Sequence, residues 1–130
     1  MKKKIVLSAA FVCSLLPMLL DQYGGQRGVQ EISGVINLLN PIGIASAAVF
    51  CLGVWAPLKR AAVGAVLRAV GAAGVVVSEV YTFFTWHVMN ITGEMSVQHS
   101  VRLAFPEFYL GLAVSLAMLA ACFVIDRKKQ

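Results

Sequence analysis

The chain has 130 residues, of which 59% are hydrophobic and only 13% are charged. A soluble domain usually has about 45–50% apolar and about 25% charged residues. The composition therefore excludes an ordinary soluble enzyme, a disordered tail and a disulfide scaffold. It predicts a single integral membrane domain over residues 1–130.

Four stretches of the chain are apolar enough to predict membrane spans. A spanning helix needs about 20 mostly apolar residues, because the hydrocarbon core is about 30 Å thick. The first stretch also resembles a signal peptide, since lysines precede a short apolar run, but bulky residues at its end favour an uncleaved helix. The sequence thus predicts an all-α bundle of four transmembrane helices, over about 5–20, 42–58, 63–89 and 108–125.

The charges between these stretches predict the orientation of the bundle. If both termini are cytoplasmic, nine of the eleven basic residues lie in the inner segments, and only Arg27 and Arg102 lie outside. The positive-inside rule favours this arrangement. The short lysine-led start is typical of a bacterial chain, so we expect a multi-pass protein of the bacterial inner membrane. The net charge of +5 then reflects topology and needs no nucleic-acid partner.

The first outer loop carries a helical pattern of its own. Polar Asn37 lies off an apolar stripe, and Pro41 follows as the start or kink of the second span. The pattern predicts a short amphipathic helix between the first two spans, either along the outer surface or continuing into the second span. The apolar stripe consists of Val29, Ile32, Val35, Ile36 and Leu39.

Small residues recur at regular spacing in the third apolar stretch. Alanines repeat every four positions, and two glycines lie seven positions apart. In lipid, helices associate through close backbone contact at small residues. The pattern predicts a helix-packing face, used inside the bundle or between copies of the chain. This face consists of Ala61, Ala65, Ala69, Ala73, Gly64 and Gly71.

Other side chains are expected to face lipid or to fill space. Arg68 can anchor at the inner surface by extending its long stem. The three cysteines, at positions 13, 51 and 122, form no CxxC pair and are predicted to be small buried residues. Aromatic residues near the outer boundary predict an interfacial belt, with members Tyr81, Phe83, Phe84, Trp86 and Tyr109.

Glu79 is the strongest candidate for a chemical role. It lies about 16 Å along the helix from Arg68, inside the bilayer, where charged groups are costly and often functional. Ser78, Thr82 and His87 extend it into a candidate intramembrane polar site. Glu79 is either a proton or cation site or a structural hydrogen-bonding group. The sequence predicts no catalytic set, metal site or cofactor.

Two functional hypotheses follow from these features. The first is a non-enzymatic membrane partner, such as an accessory subunit or an immunity-type protein, which binds another membrane protein within the lipid bilayer. The second is a small transporter or channel that uses Glu79 and forms a homo-oligomer, because one such bundle is too thin to enclose a pore. An enzyme acting on lipid headgroups is weaker, since Glu94, His99 and Glu107 would have to converge.

Overall fold

The computed structural model describes residues 1–24, 32–88 and 97–127, and these residues are mostly helical. Helices α4 and α6 are long and apolar enough to cross a membrane. In chain order the elements are α1 (Lys2–Leu15), a 3₁₀ helix (Leu16–Leu19), β1 (Asp21–Tyr23), β2 (Ile32–Ser33), α2 (Ile36–Leu39), α3 (Pro41–Trp55), α4 (Ala61–His87), α5 (Val97–Leu103) and α6 (Pro106–Arg127).

Helices α4 and α6 lie close to the predicted third and fourth spans, whereas α1 and α3 are shorter than the first and second. Pro17, which has no N–H, lies in the 3₁₀ helix that replaces the last turn of α1. Pro57 holds Ala56 in an extended conformation and so ends α3 at Trp55. At about 1.5 Å per residue, α3 is about 22 Å long, less than the thickness of the hydrocarbon core.

Helices α3 and α4 form a hairpin in which the two backbones nearly touch. A Cβ atom on Gly71 would lie 2.6 Å from the backbone nitrogen of Phe50, so only glycine permits this approach. The expected packing face is therefore divided. Gly64 and Gly71 are buried against α3, three alanines of the predicted face (Ala65, Ala69 and Ala73) are half-buried, and Ala61 is exposed.

The main hydrophobic core lies between α1, α3, α4 and α6. The Phe11 and Phe50 rings stack with centroids 4.0 Å apart and join α1 to α3. Cys122 is buried in this core, but Cys13 and Cys51 are exposed, so the expectation of burial was wrong for these two. They lie on faces of α1 and α3 that are left exposed by the described part of the chain.

A second core lies at the far end of the bundle and corrects the expected aromatic belt. Tyr23, Phe83, Trp86, Leu103 and Phe108 are buried there, and the Phe83 and Phe108 rings stack with centroids 4.8 Å apart. These aromatic residues are buried because β1, α5 and α6 pack against the C-terminal part of α4. Of the expected belt, Tyr81 and Tyr109 are exposed and suited to an interface.

The structure also corrects the prediction of an amphipathic helix in the first outer loop. Residues 29–31 lie outside the described residues, and the rest of the segment forms β2, which pairs with β1, and the one-turn helix α2. Asn37 is fully buried while Leu39 is 63% exposed, the reverse of the expected pattern. The chain turns extended at Asn40, so the helical spacing of the apolar residues does not continue into α3.

Candidate functional site

A break between α2 and α3 organises the polar residues of α4. The Asn40 side chain accepts a hydrogen bond from the Gly43 N–H and so caps the start of α3. Its amide nitrogen lies 3.0 Å from the carbonyl oxygens of Ile36 and Asn37, at the end of α2. One asparagine therefore satisfies backbone groups on both sides of the break, which would otherwise be unpaired.

Ser78 and Thr82 of the candidate site face this break. The Asn40 amide nitrogen lies 2.6 Å from Ser78 Oγ, and the Ser78 hydroxyl donates to the Asn37 carbonyl. The Thr82 hydroxyl donates to the Ser78 carbonyl at 3.0 Å. Irregular backbone at membrane depth needs such partners inside the protein. The Ser78 hydroxyl thus holds the broken helix against α4, whereas the Thr82 hydroxyl donates within α4 itself.

Asn37 is the centre of a second set of buried hydrogen bonds. The Tyr23 hydroxyl donates to Asn37 Oδ1 at 2.9 Å, and Asn37 Nδ2 donates to Gln22 Oε1 at 2.7 Å. Burial raises the pKa of the Tyr23 phenol, the hydrogen bond to Asn37 opposes this effect, and the nearby Glu79 charge adds to it. The phenol therefore stays a neutral donor at physiological pH.

Glu79 faces α6 within the bundle. Its side chain is 1% exposed, and the Ser115 hydroxyl donates to its Oε1 at 2.8 Å. Among the described residues, its Oε2 has no hydrogen-bond partner. The Ser115–Glu79 hydrogen bond joins α4 to α6, and the Glu79 Oε2 atom stays buried as an acceptor without a partner among the described residues.

The predicted polar residues do not form a continuous strip. His87 lies at the end of α4, about 12 Å along the helix from Glu79, and its Nε2 is 2.8 Å from Ser100 Oγ of α5. Ser78 contacts α2, whereas Glu79 contacts α6. The sequence set is therefore divided among three neighbouring elements. Glu94 and the side chain of His99 lie outside the described part of the structure.

A charged cluster at the opposite end of the bundle was missed by the sequence prediction. Arg68 is 9% exposed rather than anchored in lipid; it donates from Nη1 to the Gly53 carbonyl at 2.8 Å and from Nη2 to Asp126 at 2.6 Å. Lys3 lies 3.6 Å from the same carboxylate. The cluster links α1, α3, α4 and α6.

Some of the missed residues have a sequence signal. Asn40 directly precedes Pro41, which is the order of a helix cap followed by a first-turn proline. Arg68 and Asp126 have opposite charge and lie near the inner ends of the third and fourth predicted spans. Gln22 and Ser115 carry no such signal, because only the packed bundle brings them to their partners.

Comparisons with known proteins assign neither a family nor a function to this chain. No protein-family model matches the chain, and no curated protein or solved structure matches it either. Within residues 1–24, 32–88 and 97–127, no three histidine, cysteine or acidic residues gather as metal ligands do. The interpretation of the site therefore depends on its own contacts.

Proposed function

We propose that the chain crosses the bacterial inner membrane four times, with both termini on the cytoplasmic side. Contacts between the ends of the helices support this topology. The Trp55 indole donates to Ser8 Oγ at 3.0 Å, and Lys3 pairs with Asp126, so the start of α1 lies beside the ends of α3 and α6. With its 3₁₀ extension, α1 is about 29 Å long, enough for the hydrocarbon core.

Within that membrane, the outward face of α4 is the main argument for a protein partner. Valines and one alanine recur there at alternating spacings of three and four residues, the pattern that lets two helices pack side by side. The central valines are 54–60% exposed. The stripe, named the α4 valine stripe here, consists of Val63, Val66, Val70, Ala73, Val77 and Val80.

The α4 valine stripe differs from the outward face of α6. Exposed residues on α6 recur at similar spacings but differ in size, because small alanines alternate there with larger side chains such as Leu116 and Phe123. Valine has one strongly preferred side-chain conformation in a helix, so a partner helix packs against it with little loss of entropy. We therefore propose a non-enzymatic role in which this stripe binds a transmembrane helix of another protein, as an accessory subunit or immunity-type protein does.

Site-specific photocrosslinking in native membranes tests this role. A photoreactive residue at Val66, Val70 or Val77 is expected to form one discrete adduct with a different membrane protein. The same residue at Leu116 or Phe123 of α6 is the matched control and is expected to form no such adduct. Adducts only between copies of the chain, or equal adducts from both helices, would refute the proposed partner surface.

A blocking variant separates binding from folding. Val70→Trp is expected to remove the partner on gentle detergent extraction while leaving thermal unfolding of the purified protein unchanged. Leu116→Trp makes the same change on α6 and is expected to retain the partner. Reporter fusions after Lys59 and at the C-terminus test the topology separately, and both are expected to report a cytoplasmic position.

A transporter remains the second candidate because of one observation. The Oε2 atom of Glu79 is buried and has no partner among the described residues, so it can accept a proton or a cation. This candidate expects homo-oligomers and ion flux in liposomes that Glu79→Gln abolishes. Flux that is absent, or that persists unchanged in Glu79→Gln, would refute it.

A further inference from the structure

A groove of about 820 Å³ opens at the end of the bundle that holds the Arg68 cluster. Its volume is within the range of small-molecule sites. The alanines of α4 line one side, and because their side chains end at Cβ they leave room beside the helix. Apolar side chains of the other helices complete the floor, among them Leu7, Val54 and Phe123.

The polar residues that line this groove are mainly basic. Five cationic side chains face one carboxylate, that of Asp126, among the residues that line it. An apolar floor beside a cationic rim is complementary to an anionic amphiphile, because the floor buries a hydrocarbon chain and the rim attracts a phosphate. The five cations are Lys3, Lys4, Arg60, Arg68 and Arg127.

Arg68 provides an independent indication of a ligand. Its guanidinium is buried, and its two terminal nitrogens donate to Gly53 and Asp126. Within the described ranges, its Nε atom has no hydrogen-bond partner. A buried donor without an acceptor is costly, and arginine binds phosphate oxygens with favourable geometry. Arg68 also lines the groove, so a rotation of its side chain would bring this covered donor to a phosphate bound there.

We propose that this groove binds one anionic phospholipid of the cytoplasmic leaflet. The headgroup phosphate lies beside Arg68 and Arg60, and an acyl chain lies along the alanines of α4. The inference rests on the topology proposed above, which puts this end of the bundle at the inner membrane surface. Anionic lipids of that surface are recognised by basic pockets between transmembrane helices.

Native mass spectrometry of the full chain in mild detergent tests the proposal. The probes are phosphatidylglycerol and phosphatidylcholine with identical acyl chains, added in equal amounts. One phosphatidylglycerol is expected to be retained with about tenfold preference, the size of effect of one charged hydrogen bond. Equal retention of the two lipids would overturn the proposal.

Two neighbouring residues distinguish the groove from general surface charge. Arg60→Gln is expected to lower phosphatidylglycerol retention about tenfold. Lys59→Gln makes the same charge change one residue away, outside the groove lining, and is expected to have no effect. Equal losses in both variants would mean attraction to the protein surface in general. Arg68→Gln removes the proposed phosphate ligand most directly. If that variant does not fold, Arg60→Gln still shows whether the groove binds the lipid.

The apolar floor is tested without any change of charge. Ala69→Phe fills the groove and is expected to abolish the lipid preference, whereas Val70→Phe, outside the lining, is expected to retain it. Glycerol phosphate at about 100-fold excess over lipid would compete for a site that binds only the headgroup. It is expected to displace no phosphatidylglycerol. Displacement by glycerol phosphate, or by an acidic peptide, would overturn the assignment to a lipid.

The outcomes separate this inference from the proposed function. Lipid selectivity in detergent does not require the protein partner or a membrane orientation. If the photocrosslinks fail while phosphatidylglycerol is retained, the α4 valine stripe proposal falls and the lipid site stands. If the reporter fusions place this end outside, the cytoplasmic leaflet is wrong. If selectivity is absent, the lipid site falls whatever the fusions report.

Discussion

The two ends of the bundle hold their polar residues in opposite ways. At the end formed by β1, α2 and α5, neutral side chains bond to one another in a closed set around Asn37 and Asn40. At the other end, Arg68, Asp126 and Lys3 carry charges and border an open groove. The polar residues around Asn37 and Asn40 therefore fix the backbone, whereas the charged residues around Arg68 border a surface groove that can bind a ligand.

The difference follows from what each end has to satisfy. A helix break exposes carbonyl and N–H groups, and neutral amides and hydroxyls satisfy these without burying charge. The helix termini at the opposite end also leave carbonyls unpaired, and there Arg68 satisfies the Gly53 carbonyl while its charge pairs with Asp126. Four substitutions test this contrast, each through the free energy of unfolding measured by detergent titration of the purified protein.

Asn37→Leu is expected to have the largest effect, a loss of about 2–5 kcal/mol. It keeps the number of side-chain heavy atoms but leaves the Tyr23 hydroxyl and the Gln22 side-chain oxygen without Asn37 as a partner, at about 1–3 kcal/mol each. The control is Leu39→Ala, at a position that is 63% exposed, with an expected change within about 0.5 kcal/mol. Similar losses in the two variants would contradict the structural role of the closed set.

Arg68→Met is expected to cost about 2 kcal/mol, less than breaking a fully buried pair, because the Asp126 side chain is 20% exposed. Combining it with Asp126→Asn isolates the pair. The double variant is expected to lose about 1 kcal/mol less than the sum of the two single variants. Strict additivity would mean that the two side chains do not stabilise each other.

Glu79→Gln is expected to cost about 1 kcal/mol or less, because the amide oxygen still accepts from Ser115. Ser115→Ala removes the donor instead and is expected to cost about as much as one buried hydrogen bond, about 1 kcal/mol. If Glu79→Gln destabilises the protein as strongly as Asn37→Leu, the negative charge itself has a structural partner.

Lys3→Gln is expected to have the smallest effect, about 0.2–1 kcal/mol, since its side chain is 37% exposed and its distance to Asp126 is 3.6 Å. The loss should shrink in high salt, which screens exposed ion pairs. Lys2→Gln, at the neighbouring exposed position, is the control and is expected to have no measurable effect. A salt-independent loss in Lys3→Gln would indicate a role in packing instead.

The sequence predicts α4 and α6 well because long apolar runs end abruptly at charges or prolines. It fails at Asn37, because the segment is not one helix: Ile32 lies in β2, and α2 begins only at Ile36. It also fails at Arg68, since a basic residue near a helix end is compatible with both lipid anchoring and a buried pair. The choice between these depends on Asp126, which is distant along the chain and adjacent only after folding.

Separation along the chain also explains why the sequence singles out Glu79 as a candidate but does not predict its hydrogen-bond partner. Its residue type and depth single it out, whereas its partner Ser115 belongs to a helix that the sequence cannot orient. Ser78 and Thr82 were grouped with it by position on α4. The bond from Ser78 to Asn37 of α2 depends on the break at Asn40, and helical periodicity does not predict that break.

The packing of α1 has a consequence for biosynthesis. Leu7 and Phe11 of α1 belong to the same core as Cys122 of α6, and Lys3 pairs with Asp126. Helix α1 thus finds some of its partners in α6, which is synthesised after all the helices between them. Contacts of such high sequence separation form late in folding. This core therefore closes only after α6 has been made, and removal of α1 as a leader would take away part of it.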